Sequence, residues 1–191
     1  QILEEDRNPG SGTLYINPAK SISVKELLRY TLQESDNTAF SVLAREINVE
    51  DGKILTEYLD YYKNDLNYSQ AQKSLKVTPK TNANLFVSLY LSTILEPENS
   101  ELILSYLTNT SYDIKKYAKL PNNVIVAQKY GAFYYNDIKF FDSCGIMYID
   151  DSRLFYCVVV NNLEREIAHE VVGEIVNKIY KYIIENRKKI S

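Results

Sequence analysis

The 191-residue sequence predicts an α+β fold in one domain: a mostly helical lobe over residues 1–123, then three strands and a terminal helix over 124–191. Three observations predict it. Apolar residues recur at helical spacing from Ser23 to Lys119. The period changes to strand type after Leu120-Pro121-Asn122-Asn123. A stripe at four-residue spacing then runs from Glu164 to Lys189.

The elements follow in order. Residues 1–20 hold the turn signals Asn8-Pro9-Gly10 and Asn17-Pro18 and read as a loop. Ser23-Val24-Lys25-Glu26 is a capping box, in which hydroxyl and carboxylate each take the other residue's backbone N–H. Its helix runs to about Gln33, with Val24, Leu27, Leu28 and Thr31 at helical spacing. Ser35-Asp36-Asn37 interrupts it, and a second helix places Phe40, Leu43, Ala44 and Ile47 on one apolar face. A third helix is expected from Asp51 to Tyr62, and the polar stretch Asn64–Lys76 reads as a loop.

Thr78-Pro79 starts another helix, carrying Leu85, Phe86, Leu89, Tyr90 and Ile94. Pro97 is expected to end that region. Shorter helices follow over Ser100–Leu107 and Asp113–Lys119. Val124–Tyr130, Ile138–Ile149 and Leu154–Val160 are the strands, the last two joined by a tight hairpin at Asp150-Asp151-Ser152. On the terminal helix Ile167, Val171, Ile175, Ile179 and Ile183, widened by Val172 and Val176, form the stripe expected to lie on the sheet. A groove between the two lobes is the expected place for a ligand.

Composition narrows the function classes. About 45% of residues are hydrophobic and 25% charged, which is ordinary for a globular protein. The net charge of -3 gives no argument for a nucleic-acid surface or an anionic membrane as partner. No apolar run reaches the length of a membrane-spanning helix. Cys144 and Cys157 have no metal-type spacing. Both fall on strands, where buried free thiols are expected in preference to a disulfide. The single histidine, His169, reads as a structural or surface residue of the terminal helix.

Two short motifs could carry chemistry. Alone, Ser35-Asp36-Asn37 is a set of residues that favour caps and turns, and Lys129-Tyr130-Gly131 is unremarkable on a strand. Together, in order and in context, they are more specific. The run Ile22–Asn48, ISVKELLRYTLQESDNTAFSVLAREIN, resembles the helix–SDN–helix segment of class A β-lactamases and related penicillin-recognising serine hydrolases. The run Leu120–Asn162 resembles their strand ending in Lys-Thr-Gly with the two strands that follow. Gly10-Ser11-Gly12-Thr13-Leu14 and Val77-Thr78-Pro79-Lys80 look like two further turns of that family.

The resemblance implies a β-lactamase/transpeptidase-like fold and acyl transfer to a serine. Ser35 would relay a proton to the leaving nitrogen, and Lys129 would be the cation serving that relay and the substrate carboxylate. Asn37 would donate to the substrate amide, with Asp36 bracing the turn. Gly131 would let substrate backbone approach, and the Ala132 N–H would donate to an oxyanion. The expected partner is a β-lactam or a peptidoglycan-type D-alanyl peptide, with no metal and no organic cofactor. Location outside the cytoplasmic membrane (periplasmic, extracellular or cell-surface) is implied in the same way.

Three departures qualify this. No serine of the chain has a lysine three residues later, so the nucleophile is expected upstream of Gln1. The family's first helix and two strands would be missing as well, to be supplied by a longer chain or a second polypeptide. The strand Leu154–Val160 is apolar on both faces, which suits a central strand better than an edge. Tyr130 stands where the family has threonine or serine. The loop Asn64–Lys76 has an aspartate and no glutamate, which puts fast deacylation in doubt. The alternative is a catalytically inactive binding module of the cell envelope with the same fold.

Overall fold

The computed structural model describes residues 1–17, 21–47, 79–135 and 137–187. The helix expected over Asp51 to Tyr62 and the loop Asn64–Lys76 lie outside the described residues, as do Pro18, Thr78 and Lys189. The chain divides into two compact units, Gln1–Tyr106 and Leu107–Ser191. The segment 107–123, which the sequence groups with the helices, therefore goes with the sheet.

In the first unit a short 3-10 turn, Glu4–Asp6, precedes helices α1 (Val24–Gln33) and α2 (Asn37–Glu46). Helices α3 (Pro79–Tyr90) and α4 (Pro97–Leu107) follow. The capping box forms as expected: the Glu26 N–H donates to the Ser23 hydroxyl at 3.2 Å, and the Ser23 N–H to the Glu26 carboxylate at 3.3 Å. Pro97 opens α4 instead of ending the preceding region. At the first turn of a helix the missing N–H has no intrahelical partner to lose.

The apolar face expected on α2 is its exposed one. Phe40 and Ile47 are 61% and 59% exposed, while Thr38, Ala39 and Val42 are buried with Leu14 and Leu27. Hydrogen bonds from the N-terminal loop to Asp36 and Thr38 set the rotation of this helix. Ala39, Val42 and the partly buried Leu43 are the apolar residues this rotation turns inward.

The second unit contains α5 (Ile114–Tyr117), then β1 (Ile125–Tyr135), β2 (Ile138–Ile149) and β3 (Ser152–Asn161), then α6 (Arg165–Arg187). The strands form an antiparallel sheet in the order β1-β2-β3. Among the described residues this is the helix-then-sheet order the sequence predicts. Strand β1 runs five residues beyond the expected end at Tyr130.

One face of the sheet packs Val126, Phe141, Met147, Tyr156 and Val158 with Ala168, Val172 and Val176 of α6. The core face of α6 is thus centred on the Val172–Val176 edge of the expected stripe. Ile167 is half exposed, and Ile175, Ile179 and Ile183 flank the core. Strand alternation puts Ala127, Lys129 and Gly131 of β1 on the other face, with Asp142, Cys144 and Ile146 of β2.

Cys144 and Cys157 are joined in a disulfide, against the expectation of free thiols. The β2–β3 register places them directly opposite each other. They lie symmetrically about the two-residue turn Asp150-Asp151, so the hairpin and the pairing are one constraint.

Candidate functional site

The turn between α1 and α2 is built on Asp36. Its carboxylate is fully buried and caps α2 by accepting the Ala39 N–H at 2.8 Å. The other oxygen accepts the Thr13 and Leu14 N–H groups at 2.7 and 2.9 Å. A carboxylate with three amide donors is strongly held, and it fixes the loop Asn8–Leu14 against the helix start. Gly12 makes this possible. It has φ of +90°, and a Cβ there would meet the Asp36 carboxylate at 2.1 Å.

The flanking residues are tied to the same loop. The Asn37 side chain donates to the Pro9 carbonyl at 2.9 Å, and its backbone N–H to the Ser11 carbonyl at 3.1 Å. Thr38 exchanges hydrogen bonds with the backbone of Asn8. Ser35 is half-buried and sits in the left-handed region, at φ of +52°. That conformation lets the chain leave α1 at Glu34 and re-enter a helix at Asn37. Asp36 ties the N-terminal loop to the start of α2, and Asn37 has one amide N–H committed to Pro9.

On β1, alternation separates the three residues of the second motif. Lys129 and Gly131 share one face, and Tyr130 points to the opposite one. The Lys129 ammonium donates to the Tyr130 carbonyl at 2.9 Å and lies 4.8 Å from the Tyr130 ring centre. Burial lowers its pKa to about 8, against the opposing pull of the Asp142 carboxylate. Asp142 is directly opposite Gly131 in the β1–β2 register. Burial raises its pKa to about 6, while Lys129 and a hydrogen bond from the Gly131 backbone hold it down. A Cβ at residue 131 would meet an Asp142 oxygen at 2.3 Å.

The Tyr130 hydroxyl is 2.7 Å from the Ser111 hydroxyl, and its ring lies near Tyr112 and Phe141. Ala132 is exposed on β1, opposite Phe141. His169 packs its ring on Phe141 and Tyr112 at 4.5 and 4.8 Å, and burial lowers its pKa. Among the described residues no group of His, Cys, Asp or Glu is arranged to hold a metal ion.

Two polar residues near this motif carry no signal in the sequence. Asp142 is one. Gln128 is the other: it is buried, its amide nitrogen donates to the Thr110 hydroxyl and the Tyr112 carbonyl, and its oxygen accepts from Ser143 at 2.5 Å. Ser143 in turn meets the Tyr156 hydroxyl at 3.1 Å. This satisfied chain locks β1 to the loop before α5. Both residues would have been legible from the β1–β2 register, which a sequence alone does not supply. A half-open pocket of about 670 Å³ lies beside Gln128, rimmed by Lys115, Lys116 and Lys119. None of the residues expected from the sequence to act on substrate lines it.

The profile of the family described as the Beta-lactamase enzyme family matches residues 1–183. No curated protein matches the chain. Among solved structures, the chromosome-encoded beta-lactamase of Vibrio parahaemolyticus is 16% identical with a TM-score of 0.76, over 95% of this chain and 74% of that one. The TLA-1 extended spectrum beta-lactamase is 20% identical with a TM-score of 0.74, over 94% and 72%. PBP-A is 16% identical with a TM-score of 0.73, over 95% and 70%, and one of its variants forms an acyl-enzyme complex with penicillin G. At these identities the likeness to the solved structures is one of fold.

Proposed function

The chain belongs to the beta-lactamase enzyme family, and from that premise we propose that it serves serine acyl transfer on a β-lactam or a D-alanyl peptide. The observation that carries the reading is Lys129. A half-buried ammonium with a pKa lowered to about 8 can hold a proton at neutral pH and exchange it during a reaction. No Ser-x-x-Lys is present in the 191 residues, and the proposal assigns the nucleophile to a segment other than these.

In the proposed step the serine oxygen bonds to the carbonyl carbon and the carbon–nitrogen bond breaks. The proton lost by the serine reaches the leaving nitrogen through the Ser35 hydroxyl, with Lys129 supplying positive potential. Asn37 keeps one amide N–H for the substrate, the other being on Pro9. The Ala132 N–H is assigned to the developing oxyanion.

A second reading has its own support. The engagement of Tyr130 with Ser111 favours a binding module that holds cell-wall peptide without turning it over. Fluorescent penicillin separates the two. The full-length protein is expected to give a covalent adduct that survives denaturation and maps to one serine by mass spectrometry. Absence of any adduct rejects acyl transfer. Export from the cytoplasm is part of the proposal, supported by the Cys144–Cys157 disulfide, which persists in oxidising compartments.

A further inference from the structure

The pocket beside Gln128 is built entirely from the second unit, by residues between Thr108 and Gln128. Its volume of about 670 Å³ lies in the range of small-molecule sites. Its walls are held in place. Ile114 and Leu120 are buried in the core on one side. On the other, Gln128 is buried on β1 with its amide bonded to Thr110, Tyr112 and Ser143. A site fixed in this way needs little ordering when a ligand arrives.

Positive charge collects at this place. The chain as a whole has a net charge of -3, yet Lys115, Lys116 and Lys119 all line the pocket. Asp113 is the one carboxylate among the lining residues, and one of its oxygens accepts the Lys115 and Lys116 N–H groups at 3.0 and 3.4 Å. Three ammonium groups against one carboxylate leave two positive charges in excess. The Lys115 ammonium donates to the Asn122 carbonyl at 3.2 Å, which keeps it at the pocket. Thr108, Asn109 and Asn122 add neutral polar groups to the same lining.

These features select a chemistry. Lysine ammonium groups are compact point charges that suit phosphate, while hydroxyl and amide side chains suit a hydroxylated body. An excess of two positive charges matches a phosphomonoester, which carries about -1.5 to -2 at neutral pH. A lone phosphate would leave most of the volume to water. We propose that the pocket binds a phosphorylated, hydroxyl-bearing small molecule of the sugar-phosphate class, held by Lys115, Lys116 and Lys119. The proposal uses none of the residues assigned to acyl transfer, and it stands or falls without that reading.

Glucose 6-phosphate, inorganic phosphate and glucose serve as probes. Each is titrated into the nitrogen-labelled full-length protein at low ionic strength, and backbone amide shifts are followed by NMR. Glucose 6-phosphate is expected to move amides between Thr108 and Gln128 with a Kd at or below about 1 mM. Inorganic phosphate should bind at least about threefold more weakly, and glucose should leave the spectrum unchanged. Lys115→Gln and Lys119→Gln should each weaken glucose 6-phosphate by at least about fivefold, through the loss of a charge-assisted hydrogen bond. Lys116→Gln is carried in parallel, and circular dichroism checks that each variant is folded. Lys25→Gln removes an equal charge on α1 and should change the affinity by less than about twofold.

No binding of glucose 6-phosphate up to about 10 mM overturns the proposal. So does an equal loss in Lys25→Gln, which would mark a diffuse effect of net charge. Inorganic phosphate that binds as tightly as glucose 6-phosphate overturns it too, because the hydroxylated body would then have no part in recognition.

Discussion

At the Ser35-Asp36-Asn37 turn one buried carboxylate is satisfied by three backbone N–H groups, all from residues that the turn itself brings near. Beside Gly131 the half-buried Asp142 carboxylate accepts one backbone N–H and feels the charge of Lys129 on the neighbouring strand. The first arrangement is a clamp. Its donors are fixed dipoles with no charge to lose. The second is a balance between two ionisable groups, so pH or an arriving ion can tip it. The difference teaches where titration bears on this structure: on the sheet, where Asp142 and Lys129 influence each other.

The largest expected effect tests the clamp. Asp36→Ala removes the helix cap and strands the amides of Thr13, Leu14 and Ala39, so it should lower stability by about 3 kcal/mol. Urea unfolding measures it. A loss below about 1 kcal/mol would mean that water replaces the carboxylate and that the turn is not a clamp.

Gly131→Ala comes next. The added methyl must displace Asp142, at a cost of about 1–3 kcal/mol. Because Asp142 supports the Lys129 ammonium, its displacement should also drop the Lys129 titration below about 8. An unchanged Lys129 titration by NMR would show that the two charges are not coupled.

The balance also has a pH signature. Asp142 titrates near 6 in the fold against an ordinary value of 3.8, so between these values the folded state holds the extra proton and stability falls as pH rises. Lys129 titrates near 8 against 10.5, so between these values the folded state has already lost its proton and stability rises with pH. The pair therefore contributes a shallow minimum between about pH 6 and 8, with limbs on the order of 1 kcal/mol after solvent screening. Asp142→Asn should abolish the acid limb while keeping the alkaline one. Chemical unfolding across pH detects this, and an acid limb that survives the substitution would assign it to another group.

The smallest effect is expected at Ser111. It is exposed, and its hydroxyl meets Tyr130 from the solvent side, so Ser111→Ala should change stability by less than about 0.5 kcal/mol. A larger loss would make Tyr130 a third anchored residue of the strand motif.

Legibility in the sequence divides along the same line. The turn could be read because its determinants are local. Ser23 and Glu26 cap a helix, Asp36 caps the next, and glycines at 10 and 12 permit the close approach of the loop. The strand motif could be located by its period-two pattern, yet its chemistry could not. Asp142 lies eleven residues from Gly131 along the chain and meets it only through the β1–β2 register. The Cys144–Cys157 bond was within reach, since both cysteines are equidistant from the Asp150-Asp151 turn. Buried thiols on strands were the more general expectation, and it failed here because the hairpin register is exact to one residue.

By itself the sequence determined the order of helices and strands, the capped turn at Ser35-Asp36-Asn37, and the family to which both motifs point. Those features depend on neighbours within a few residues, where side-chain type and spacing act directly on the backbone. Only the tertiary structure decided which face of α2 is buried, that the two cysteines pair, and that Asp142 lies opposite Gly131 on the face that Lys129 shares. Each of these depends on which residues distant in sequence become opposite in space, and burial then turns that geometry into electrostatics.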